Sequence, residues 1–226
     1  MKKSVVFCSL LAAAVSAHAE SGFYVLGSVG QSRFDEGRVK REIERYVAPD
    51  AGETYSASVD KSDTGYKLQL GYQFNDNFAI EGGYVDLGEL GYKGRLAGED
   101  DDYTYAGSLK GKREVTGFNL DALLILPVNA GFSIFGKVGV VAAKVKTTLD
   151  YSEVDTYQNG DIESGSMKLY SENGTKVKAH FGVGVSYQFA QGLSVRVEAE
   201  RFNKVGDSDT IEGDVDLYSV GLAYRF

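Results

Sequence analysis

Apolar and polar residues alternate with a period of two through most of the chain beyond residue 20, the pattern of strands with one face against an apolar phase. Residues 65–74 set Tyr66, Leu68, Leu70, Tyr72 and Phe74 on one face and Gly65, Lys67, Gln69, Gly71 and Gln73 on the other. After the turn Asn75-Asp76-Asn77, Phe78, Ile80, Gly82 and Tyr84 oppose Ala79, Glu81, Gly83 and Val85, which completes a hairpin. A second hairpin joins 118–127 to 132–145 through Val128-Asn129-Ala130-Gly131. A third joins 177–189 to 193–202 through Ala190-Gln191-Gly192. Single strands at 22–32 and 215–226 frame the three, and the pattern predicts eight strands in all.

The connections alternate as strictly as the side chains. Three are short turns, and the other four, near 33–62, 88–113, 147–176 and 203–214, are longer and polar. An up-and-down barrel with both termini on the periplasmic side of a membrane requires that order, with short periplasmic turns and long external loops. A Greek-key sandwich does not. The faces point the same way, because the non-apolar face of each strand holds Gly, Ala and Ser with sparse charges, as a narrow lumen demands, while the apolar face suits lipid. Phe74, Phe78, Phe132, Phe189 and Phe226 fall at strand ends beside the short turns, where an interfacial aromatic girdle belongs. An open edge in hydrocarbon would leave amides unpaired, so the sheet must close.

Composition agrees and adds the compartment. Two prolines, no tryptophan, 28 glycines, 15 tyrosines and 12 phenylalanines describe an aromatic, turn-rich chain, and no segment after residue 19 has the length of a transmembrane helix. Lys2 and Lys3, an apolar run over 5–15 and Ala17-His18-Ala19 form the three parts of a secretory leader, with cleavage predicted after Ala19. An uncleaved anchor would need about 20 apolar residues. Cys8, the chain's one cysteine, would leave with the leader. Residues 20–226 are then a single barrel domain. The formal charge of −8 argues against nucleic acid and against an anionic headgroup surface as partners.

Gly71-Tyr72-Gln73-Phe74-Asn75, Ile80-Glu81-Gly82-Gly83-Tyr84 with Leu87-Gly88, the stretch 193–198 and the end Ser219-Val220-Gly221-Leu222-Ala223-Tyr224-Arg225-Phe226 resemble the transmembrane domain of the outer membrane protein A family and its small-barrel relatives. The resemblance covers the strands and not the loops. It implies an eight-stranded antiparallel barrel in the outer membrane of a Gram-negative bacterium. It also implies that Val220, Leu222, Tyr224 and Phe226 form the signal read by the barrel assembly machinery. Glu81, Arg196 and Glu198 match charged lumenal positions of the family. Leu123 stands where the family has a lumenal lysine, and Ser186 where it has a lumenal glutamate. With Phe226 as the last residue, the periplasmic domain of larger relatives is expected to be absent.

A lumen with Lys67, Glu81, Asp121, Lys137, His180, Arg196, Glu198, Glu200 and Arg225 reads either as a packed ion-pair network or as a narrow ion path. Eight strands leave little more than side-chain room, which favours packing. Glu81 and Glu198 could serve as an acid/base pair only beside a substrate cleft. Some barrels of this size modify lipid A with a His and a Ser, but His180, the one histidine outside the leader, has no serine-base arrangement around it in sequence. The acidic runs 99–102 and 155–163 lack the spacing of a calcium loop, and read as solvated tips. Tyr103, Tyr105, Tyr151, Tyr157 and Tyr170 fit both a contact surface and strands extended above the membrane. Residues 38–46 suit a short helix. The expectation is a monomeric structural or surface-interaction protein, without cofactor, metal or catalysis, held in outer-membrane lipid and meeting an extracellular protein through its loops. A small pore and a lipid A-modifying enzyme are the alternatives.

Overall fold

The computed structural model describes residues 21–35, 53–99, 103–206 and 213–226. The leader, the 38–46 segment and Asp100 to Asp102 of the first acidic run lie outside the described residues.

Among the described residues every regular element is a strand: β1 Gly22–Phe34, β2 Thr54–Asp60, β3 Ser62–Gln73, β4 Phe78–Glu99, β5 Tyr103–Asn129, β6 Phe132–Tyr157, β7 Ile162–Ala190, β8 Leu193–Val205 and β9 Gly213–Arg225. Neighbours pair antiparallel in chain order from β3 to β9, and β1 joins β3 to β9, so eight strands close a ring. β2 pairs β4 opposite residues 91–97, on the edge of β4 where β3 pairs residues 79–86, so it prolongs β3 beyond Lys61. This is the expected up-and-down barrel, with one of its eight strands interrupted.

The alternation sorts the side chains as the period predicts. Leu68, Leu120 and Val138 point outward at 63%, 61% and 65% exposure, whereas Glu81 and Lys137 point inward at 1% and 2%. Lipid covers the first set, and backbone pairing around the ring leaves no open amide edge in that layer. Short turns close one end. Asn75 Oδ1 accepts the backbone N–H groups of Asn77 and Phe78 at 2.9 Å each, an Asx turn, and Gly131 and Gly192 take φ of 84° and 74° in the other two. Beside these turns Phe74, Phe78, Phe132, Phe189 and Phe226 are exposed, with Tyr72 packed edge-on against Phe74 at 5.0 Å and Phe132 stacked on Tyr187 at 4.3 Å.

The other end departs from the expected loops. Most of the described residues within 88–113 and 147–176 are strand rather than irregular chain: β4 runs on to Glu99 and β5 begins at Tyr103, while β6 runs to Tyr157 and β7 begins at Ile162. A strand rises about 3.4 Å per residue and about 10 residues cross a membrane, so the 27 residues of β5 extend far beyond it. In water both faces of such a strand carry polar groups, and that hides the period-two signal. A bulge between Asp86 and Glu89 hides it further by exchanging the two faces of β4. Gly88 takes φ +77° there, Asp86 Oδ1 accepts the Gly88 N–H and Asp63 Oδ2 accepts the Glu89 N–H at 2.8 Å. Inward residues are odd-numbered before the bulge (Val85, Leu87) and even-numbered after it (Leu90, Tyr92).

Candidate functional site

The lumen is filled in three layers, each set by residues that share the inward face of neighbouring strands. At the external end Phe34, Leu87, Val115, Phe202, Val205 and Leu217 belong to one buried apolar cluster. Arg113 is buried beside it and donates to the Val205 carbonyl. At the periplasmic end Tyr24, Ala79, Leu123, Ile125 and Phe135 form a second cluster. Between them lie the charges.

Lys67 on β3 and Lys137 on β6 meet Glu198 and Glu200, which share a face of β8. Lys137 Nζ lies 2.7 Å from Glu198 Oε2 and 2.7 Å from Glu200 Oε1, and Lys67 pairs with the same two carboxylates. On the periplasmic side Arg196 donates to Glu81, whose Oε1 also accepts the Tyr24 hydroxyl at 2.6 Å. The guanidinium lies 5.2 Å from the Tyr24 ring centroid and 4.9 Å from that of Phe135, so it is held between two aromatic faces. His180 Nε2 meets Asp121, Asn119 donates to the other oxygen of Asp121 at 2.7 Å, and the imidazole stacks on Phe202 at 4.7 Å. Glycines opposite make the room. A Cβ on Gly139 would enter the Asp121 carboxylate, and one on Gly182 would meet Glu200 Cγ at 2.8 Å.

Ion pairs therefore join six of the nine sequence-predicted lumenal residues, Lys67, Glu81, Lys137, Arg196, Glu198 and Glu200, and the buried Asp121–His180 pair lies beside them. Arg225 stands apart. It is half-buried at the periplasmic mouth, where Nη1 reaches Gln73 Oε1 at 3.3 Å, because β9 ends there and its side chain opens into a recess of about 350 Å³. That recess is lined by Tyr24, Phe135 and Arg196 as well. Two participants escaped sequence reading. Tyr24 looks like any strand aromatic, and Asn119 like a small polar filler; the signal that could have found them is their inward parity next to Glu81 and Asp121. The two departures from the family pattern also resolve. Lys137 is the Cα partner of Leu123, so β6 supplies a lysine at the level where β5 lacks one, and Glu198 and Glu200 supply the carboxylates that Ser186 does not.

The donor set shapes what the lumen can do. Asp121, His180 and Glu200 offer ligand atoms within 4.8 Å of one another. Both oxygens of Glu200 already hold lysine ammoniums, so a metal ion there would meet two cations at contact distance. Asp121 and Phe202 occupy the surroundings of His180, and a serine nucleophile is not among its contacts in the described residues. Glu81 and Glu198 are both held by Arg196.

Outside the membrane the prolonged strands form a second surface. Tyr55 and Tyr92 bond hydroxyl to hydroxyl, Tyr105 donates to Glu53, and Tyr103 packs on Tyr157 at 5.6 Å. Tyr151, Glu153 and Asp155 share the face of β6 that meets Glu163 and Met167 of β7. Burial and Glu153 push the Tyr151 hydroxyl above its usual pKa, and Glu163 does the same to Tyr157. The 155–163 run is thus a hairpin end, with Asn159 Oδ1 accepting the Asp161 N–H at 3.0 Å.

The sequence profile of the OmpA-like transmembrane domain matches residues 18–226. Outer membrane protein A of Shigella flexneri is 27% identical over 158 residues, covering 69% of this chain and 38% of that protein. The homologous protein of Yersinia pseudotuberculosis is 27% identical over 170 residues, 74% of this chain and 41% of its own length. The chain therefore spans about two fifths of these relatives. Among solved structures, the N-terminal β-barrel domain of Pseudomonas aeruginosa OprF covers 91% of this chain and 98% of its own at 14% identity and a TM-score of 0.44. Ail of Yersinia pestis, solved with the heparin analogue sucrose octasulfate, covers 91% and 99% at 14% identity and a TM-score of 0.40.

Proposed function

The chain belongs to the OmpA-like transmembrane domain family of Gram-negative outer-membrane barrels, and on that premise we propose that it is a closed, non-catalytic structural barrel whose external hairpins are its contact surface for an extracellular protein. The observation that carries this reading is the filling of the lumen in series: an apolar plug, an ion-pair network and a guanidinium between two rings. An ion crossing it would have to displace paired charges and then enter an apolar layer. Planar-bilayer recording tests the closure directly. A flat current under salt and voltage is expected, and resolvable unitary steps would replace this reading with that of a small pore.

Residues 1–19 serve as the cleaved leader in this proposal, so the mature chain begins at Glu20, and intact mass of the membrane-extracted protein checks it. Val220, Leu222 and Tyr224 project outward on β9, Phe226 is exposed just past its end, and the four are taken as the signal read by the assembly machinery. Phe226→Ser is expected to lower the amount of heat-modifiable barrel while leaving export to the periplasm intact. Unchanged barrel levels would remove that role.

A further inference from the structure

The last level of the lumen before the periplasm is a shelf of hydrogen-bond donors. Ser133 of β6 is the Cα partner of Ser186 of β7, and Ser186 is the Cα partner of Arg196 of β8, so two hydroxyls and a guanidinium stand side by side on three successive strands. Arg225 of β9 is the Cα partner of Tyr24, the ring on which the Arg196 guanidinium rests. These five residues line the recess of about 350 Å³ at the periplasmic mouth, and Ile125, Phe132 and Phe135 are among its apolar walls. Arg196 is 6% exposed, and its Nε has no hydrogen-bond partner although Nη1 is taken by Glu81. Arg225 donates to the neutral Gln73 at 3.3 Å and forms no ion pair with a described residue. The one carboxylate among the lining residues is Asp76, exposed on the turn at the rim. A buried N–H that lacks an acceptor and a half-buried cation that lacks a counter-ion both favour an incoming oxyanion.

We propose that this recess is a binding site for the terminal carboxylate of a short peptide on the periplasmic side. The carboxylate takes Arg225 and the Ser133–Ser186 shelf beside Arg196, a donor set suited to a planar, doubly accepting group. The apolar walls then face the last side chain of the peptide. Gln73 and Gln188, which also line the recess, each offer a donor and an acceptor to a peptide group. The volume is at the small end of ligand pockets and has room for about one or two residues. The closed ring of strands keeps lipid on its other side, and Arg196 between the Tyr24 and Phe135 rings forms the inner wall, so the site is a dead end that leaves the barrel shut. It is a second point of contact, facing the periplasm where the hairpins face outward.

The test uses the full barrel in phosphatidylcholine nanodiscs, which leave the periplasmic mouth open to added solutes, with empty discs as the blank. Each preparation is first checked for heat-modifiable migration. N-acetyl-alanyl-alanine, its C-terminal amide and inorganic phosphate are the probes: saturation-transfer NMR on the methyl signals reads the affinity of the two peptides, and competition reads that of phosphate. The acid is expected to bind with a Kd of about 1 mM or tighter and the amide about tenfold more weakly. In a barrel with nitrogen-labelled arginine, the Nε–H signal that Arg225→Gln removes should move on addition of the acid. Arg225→Gln should weaken the acid about tenfold, and Ser133→Ala/Ser186→Ala, which leaves both arginines in place, about threefold. Absence of saturation by about 10 mM, equal affinity for acid and amide, or wild-type affinity in both variants would each overturn the proposal. So would phosphate binding as tightly as the acid, which would make the recess a site for an adventitious ion only.

Discussion

β5 and β6 each live in two environments, and the contrast between their lower and upper halves shows what decides the direction of a side chain. In the lower half Leu120 and Val138 face out and Asp121 and Lys137 face in, so apolar groups meet lipid while charges are paired in a buried lumen. In the upper half of the same strands the outward row is Lys110, Lys112, Lys144 and Lys146, and the inward row is Tyr103, Tyr105, Tyr151 and Asp155. The backbone pattern is constant. What changes is the phase beside each face: hydrocarbon below, headgroups and water above.

The sharpest way to break the comparison is in the lumen. Arg196→Met strands the Glu81 carboxylate and is expected to destabilise the barrel by about 3–5 kcal/mol, whereas the double change with Glu81→Gln should recover most of that loss. Equilibrium urea unfolding in lipid vesicles measures both, and an Arg196→Met barrel as stable as wild type would mean that Glu81 is solvated. Next comes the lipid face. Val138→Arg should cost roughly 2–4 kcal/mol in the same assay, and Thr148→Arg, on the same face of the same strand ten residues further out, about zero. Equal costs would erase the boundary between the halves. Gly182→Val places a side chain against Glu200 Cγ and Lys137 Cε, an overpacking effect of about 1–3 kcal/mol. Smallest of all, Lys112→Gln removes an exposed pair with Glu89 and is expected to change stability by a few tenths of a kcal/mol, to be read as the shift in the thermal midpoint of gel mobility.

Where a single face meets an apolar phase, the sequence is legible. Residues 65–74 and 78–85 alternate without a slip, and the structure keeps their pairing and their short Asx turn. Legibility fades at 88–113 and 147–176, where Lys, Thr, Ser and Tyr occupy both faces and two shifts, at Asp86/Glu89 and at Leu149/Asp150, reverse the parity. Strand there rests on pairing between neighbours rather than on hydrophobic contrast. In the lumen, inward parity identified the ionic residues, but not their partners. Which lysine meets which glutamate depends on register between strands far apart in sequence, as in Lys67 with Glu198 and Glu200. Arg225 shares the inward parity and still lies half-exposed, because depth along the barrel axis decides burial and parity does not report depth.

The most direct test of the two-phase account is a cysteine scan along the outward row of β5, made simple by a sequence whose one cysteine is Cys8, within the proposed leader. Single replacements Ser108→Cys, Lys110→Cys, Lys112→Cys, Leu120→Cys and Leu124→Cys would be treated on intact cells with a membrane-impermeant maleimide. Labelling at 108, 110 and 112 with none at 120 and 124 is the result expected if one strand passes from water through headgroups into lipid. Uniform labelling along the row, or labelling at 120 and 124 alone, would contradict it.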